Sequence, residues 1–175
     1  MSEAEIEGAY VIAVIDSVAE VSPVFESRAR EILADEGIKS PDAESTYDVA
    51  TFATALEMMV ETAGETTVAR AGEKMVERNE QIGQSNDFET GFETFREQHA
   101  AVHRNFDVDS AGQYRAERID DQEYRVSTYG SHTYPEALVR GATEGVVRET
   151  ETPAMVSFDD AELAADETHA FVVSW

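Results

Sequence analysis

The chain has 175 residues, 37 acidic against 13 basic, for a formal net charge of −24. It holds no cysteine, which excludes disulfides, thiolate metal sites and cysteine nucleophiles. So strong a polyanion repels phosphates and argues against nucleic acid as a partner, and no apolar run approaches the ~20 residues of a membrane span.

The first half reads as helices. From Glu3 to Val21, Ile6, Tyr10, Val14 and Val18 recur about one turn apart. Ser22 as N-cap and Pro23 at the first helical position open a second helix, which Gly37 stops. Ser45-Thr46-Tyr47-Asp48 resembles a capping box ahead of a third helix, carrying Phe52, Leu56 and Met59, that ends at Gly64. Glu65 to Asn79 is a fourth helix, Gln81 to Asp87 a loop, and Phe88 to Phe106 a fifth helix. The pattern then changes to short runs rich in Tyr, Val and Arg. Gln113 to Ile119 and Glu123 to Tyr129, around Asp120-Asp121-Gln122, predict a β-hairpin. Thr133 and Glu136 read as a capping box for a helix to about Glu149. Pro153 to Phe158 and Thr168 to Trp175 are two further strands around an acidic loop. The expected fold class is α+β: one unit, residues 1–175, with a helical part over 1–106 packed on a small antiparallel sheet within 107–175.

Eleven of the 13 basic residues are arginine; only Lys39 and Lys74 are lysine. Lysine depletion beside a large acidic excess predicts a halophilic, acidic surface and a cytoplasmic protein of a salt-adapted organism. In molar salt the Debye length falls to ~3 Å and carboxylate repulsion is screened. No basic n-region precedes the first apolar run, so no secretory signal is expected.

The fifth helix is the most informative segment. Phe88, Phe92, Phe95, His99, Val102 and Phe106 share one helical face, and His103 lies beside it one turn after His99. Desolvation there favours neutral imidazoles with a free lone pair, the state that binds a metal or a heme iron. The same placement suits core histidines bonded to a carbonyl. As a metal site the pair His99 and His103 needs a third ligand, which the sequence does not single out. No Gly-x-Ser-x-Gly elbow or phosphate loop is present, and no catalytic constellation emerges. Gly141 and Gly145, inside a helix, suggest close packing.

The order of elements, with Phe95 eight residues before His103 and Val102 just before it, resembles the heme nitric-oxide/oxygen-binding (H-NOX) domains and the ligand-binding superfamily they share with vinyl-reductase-type domains. The family's Tyr-x-Ser-x-Arg motif has its counterpart in Tyr129-Gly130-Ser131-His132-Thr133, with Thr133 where the family has arginine. The resemblance implies a heme cofactor ligated by His103 or His99, propionates held by Tyr129 and Ser131, and a pocket lined by Phe92, Phe95, Val102 and Phe106. Arg125 or Arg140 would then stand in for the missing arginine. It also implies a sensor of a small apolar or gaseous ligand. Because the chain stops in its last strand, that sensor would act in signal transduction through a separate partner protein. The alternatives are a metal-dependent enzyme using His99 and His103, or an interaction module without a ligand.

Overall fold

The computed structural model describes residues 4–175. Glu3, the expected start of the first helix, lies outside them. The first element among the described residues is a strand, β1 (Glu5–Glu7), followed by α1 (Gly8–Val21) and α2 (Pro23–Asp35). Next come β2 (Thr46–Asp48), α3 (Val49–Ala63), α4 (Glu65–Glu77), a single-turn α5 (Glu80–Gly83) and α6 (Phe88–Ala101). The second half runs β3 (His103–Arg104), a short α7 (Val108–Ala111), the hairpin β4 (Gln113–Asp120) and β5 (Glu123–Tyr129), α8 (Glu136–Glu149), β6 (Met155–Phe158) and β7 (Glu167–Ser174). The α+β class and the order of the larger elements agree with the sequence.

The differences have local causes. Ile6 pairs with both Tyr47 and His103, so β1 is the centre of a small antiparallel sheet ordered β2-β1-β3. Strands this short carry too little alternation to register in sequence. This sheet also ends the fifth helix early: α6 stops at Ala101, and His103 leaves it to pair with Ile6, with Asn105 turning at φ 53°. The third helix is capped by Asp48, whose Oδ1 accepts from Thr51 N at 2.7 Å, rather than by the box at Ser45. Asp48→Ala is expected to cost about 1 kcal/mol, read as a fall in melting temperature. Thr133 caps nothing. It is exposed, and α8 starts at Glu136 behind Pro135.

The larger sheet is fully antiparallel in the order β4-β5-β7-β6. Val126, Phe171 and Val173 point inward from it and meet Val139 and Val146 of α8 and Phe88 and Phe92 of α6. A second apolar cluster joins α1, α2 and α3 around Phe52, Leu56, Ile15 and Leu33. The two helices between these clusters, α4 and α8, cross almost without spacing. A Cβ built on Gly141 would lie 1.8 Å from the Ala69 carbonyl oxygen, and one on Gly72 would lie 2.6 Å from that of Leu138.

Candidate functional site

All four histidines of the chain gather in one aromatic cluster where the last turn of α6, β3, β7 and the loop before α8 converge. The His99 and His103 rings are 4.5 Å apart. His132 stacks on His99 at 5.6 Å and meets His169 edge-on at 6.3 Å. Tyr114 and Tyr134 close the cluster, each edge-on to both His99 and His132.

The hydrogen bonds fix the tautomers. A carbonyl only accepts, so His99 donates from Nε2 to the Gly112 oxygen at 3.2 Å and keeps its lone pair on Nδ1. Gly112 holds φ +68° against the backbone of His132, which leaves no room for a side chain. His103 donates from Nδ1 to the His99 oxygen, and its Nε2 lone pair accepts from the Tyr134 hydroxyl at 2.7 Å. His169 donates from Nε2 to the Tyr134 oxygen at 3.2 Å. His132 is buried with neither ring nitrogen partnered. Burial, with mutual repulsion between the rings, lowers the His99 pKa to about 3 and holds His132 well below the usual imidazole range. His103 is lowered by burial too.

Beside this cluster lies an apolar cavity of about 310 Å³. Its wall is built from Tyr10 and Ala13 of α1, Gly72, Met75 and Val76 of α4, Ile82 of α5, Phe95, Gln98 and His99 of α6, Val102, Tyr114 of β4, and Leu138 and Ala142 of α8. Asn79, Glu80 and Gln81 line one side of it, together with Arg78, which is held by Glu20 and, at 3.7 Å, by Asp16. The volume is about twice that of the ~150 Å³ apolar cavity that takes one benzene.

Of the residues singled out in the sequence, His99, Phe95 and Val102 stand on this wall. Phe92 is packed behind it among Phe88, Phe95 and Tyr114. Phe106 lies off the wall with its ring 5.9 Å from that of His99. His103 is buried against Tyr134, off the wall. Tyr129 sits at the end of β5 under the Arg115 guanidinium, 4.3 Å away. Ser131 is exposed, and its N–H donates to the Val108 oxygen at 3.2 Å. Neither Tyr129 nor Ser131 lines the cavity. Arg125 is bound to Asp159 and Glu167, and its guanidinium pulls the Glu167 pKa down to about 2. Arg140 lies over the Phe158 ring at 5.6 Å with Glu144 3.7 Å away. Neither arginine reaches the cavity, so neither replaces the one absent at Thr133. Among the described residues no group of three His, Cys, Asp or Glu side chains is arranged to hold a metal, so the His99/His103 pair lacks the third ligand it needs. Sequence reasoning missed Tyr10 and Tyr114 as wall residues, because periodicity marks them only as inward-facing.

No protein-family model matches the sequence, and no curated protein is significantly similar to it. Comparison of three-dimensional structures gives close matches. A mutant H-NOX of T. tengcongensis superposes with a TM-score of 0.69 at 10% identity, over 97% of this chain and 97% of its own. An oxygen-binding H-NOX domain related to soluble guanylate cyclases, in its oxygen complex, gives 0.66 at 12% identity, over 97% of this chain and 94% of its own. A structure probing heme distortion in the H-NOX family gives 0.71 at 10% identity, over 97% and 95%. The chain has an H-NOX-like fold.

The residues as placed do not fit heme. Iron takes an imidazole lone pair, yet that of His103 Nε2 is taken by Tyr134, and His99 keeps a free one only on Nδ1 because its Nε2 gives its proton to Gly112. The counterparts of the family's propionate anchors, Tyr129 and Ser131, are not on the cavity wall, and its arginine is absent. The cavity itself is sized for one or two rings rather than a porphyrin.

Proposed function

We propose that residues 1–175 form a sensory domain that takes a small apolar molecule directly into the cavity between α1, α4, α6 and α8 and signals its presence to a separate protein. The observation that carries this reading is the cavity: open space walled by side chains from five helices and a strand, at the junction of the helical half and the sheet. An apolar guest there gains contacts that the empty wall lacks. Differential affinity for two arrangements of the surrounding helices is what would convert occupancy into a signal. Among the described residues no helix is long and apolar enough to cross a membrane. The acidic surface supports action in concentrated salt.

The fold neighbours make heme the rival guest, and one titration separates the two. In molar KCl, purified protein is expected to bind naphthalene with a saturable fluorescence change. Ala142→Phe, which fills the cavity, is expected to remove that binding while the far-UV circular dichroism stays unchanged. Stoichiometric hemin uptake with a Soret band that disappears on replacing His99 and His103 overturns the reading in favour of heme. Absence of binding by both naphthalene and its hydroxylated analogue 2-naphthol leaves no ligand role for the cavity.

A further inference from the structure

Four of the six tyrosines are accounted for. Tyr124 donates to Glu89, Tyr134 donates to His103, Tyr47 accepts from the Asp42 N–H, and Tyr129 lies against Arg115 at the end of a strand. The remaining two, Tyr10 and Tyr114, both stand on the cavity wall; neither hydroxyl makes a hydrogen bond among the described residues, and neither is sealed from the cavity. Burial raises both phenols above their usual range, so both remain protonated donors. An apolar guest would strip water from both hydroxyls without replacing it, a cost that a polar group on the guest removes. Of the other polar residues on the wall, Arg78, Glu80 and Gln81 are exposed and Gln98 accepts from Asn79, so the third inner polar group is His99. Its Nε2 proton is committed to Gly112, which leaves the Nδ1 lone pair without a protein donor. The inner part of the wall therefore offers two donors and one acceptor among apolar side chains, apart from the polar residues of α4 to α6 that line the rest of it.

We infer that the guest is a neutral one- or two-ring molecule bearing a hydroxyl, which accepts from Tyr10 and Tyr114 and donates to His99. A hydroxyl is the simplest group that both donates and accepts. A carboxylate meets no free cation there, because Arg78 is held by Glu20 and Asp16, and the −24 charge of the chain opposes it. This assignment rests on the cavity being a ligand site and specifies what that site selects.

The test compares three probes of one shape, 2-naphthol, naphthalene and 2-naphthoate, by equilibrium dialysis in molar KCl at pH 7. Satisfying these groups is expected to make 2-naphthol bind about tenfold or more tightly than naphthalene, with 2-naphthoate weakest. In the double variant Tyr10→Phe/Tyr114→Phe the ratio of naphthol to naphthalene affinity is expected to fall to within about threefold, the residue left by His99 alone. Equal affinity of wild type for naphthol and naphthalene overturns the hydroxyl assignment while the cavity remains a ligand site. A ratio unchanged in the variant overturns the roles of the two tyrosines. Tightest binding of naphthoate overturns the neutrality of the guest. If none of the three binds, the cavity reading itself falls.

Discussion

Lowering the pH from 7.5 to 5 in molar KCl is expected to reduce the melting temperature steeply. The histidines set the sign. His99 has a folded-state pKa of about 3 against 6.5 when unfolded, and His103 and His132 are shifted the same way. Below pH 6.5 the unfolded chain therefore binds more protons than the folded one, and stability falls as pH drops from 6.5 toward the folded-state values. Above 6.5 these groups have no effect. Each such histidine contributes about 1.4 kcal/mol per pH unit, so His99 alone costs about 2 kcal/mol by pH 5, or about 4–8 °C in a protein of this size. Protonation of surface carboxylates acts oppositely by relieving repulsion, and high salt suppresses that opposing effect. The measurement is a series of thermal melts by circular dichroism. His132→Phe, which removes an imidazole with no partner to lose, is expected to flatten the pH dependence. A melting temperature constant from pH 7.5 to 5 would show that the cluster takes up protons without unfolding.

Gly141→Ala is expected to destabilise the protein strongly. Inside an exposed helix the same change gains about 1 kcal/mol from propensity. Here the added carbon lands 1.8 Å from the Ala69 oxygen and 2.7 Å from its Cα, and both are backbone atoms that no rotamer change can move. Forcing α4 and α8 apart uncovers Val68, Val76, Leu138 and Val146, so the net cost is expected to be about 3 kcal/mol or more. Gly83→Ala is the control. Its new carbon meets only the end of the Glu149 side chain at 3.1 Å, which swings away. Thermal melts of the two variants decide the matter: equal melting temperatures would contradict the close crossing.

The fold was legible where periodic runs were long. The stripe of α8, the hairpin between Gln113 and Tyr129 and the breaks at Gly37 and Gly64 all stand in the sequence. What stayed hidden depends on distant partners. Nothing local to His103 shows that it leaves its helix to pair with Ile6, 97 positions earlier, so its lone pair was expected to face the same interior as that of His99. The aromatic stripe located one wall of the cavity through Phe95, His99 and Val102. The opposite wall comes from α1, α4 and α8, whose apolar residues look alike whether they pack solidly or border open space. Tyr10 and Tyr114 acquire meaning only once their hydroxyls are seen to lack acceptors. The propionate motif illustrates the converse. Tyr129 and Ser131 match in spelling, yet one stacks beneath Arg115 and the other faces water.

The crossing at Gly72 and Gly141 also limits how this molecule can respond to a guest. Both helices contribute to the cavity wall, through Met75 and Val76 on one side and Leu138 and Ala142 on the other. At these two positions main chain meets main chain with no side chain between to shear, which makes that half of the chamber the stiffer one. Swelling on occupancy, if the cavity takes a guest as proposed, would fall on the opposite half, α1 and the end of α6, and on β1 and β3, the strands joined directly to those two helices.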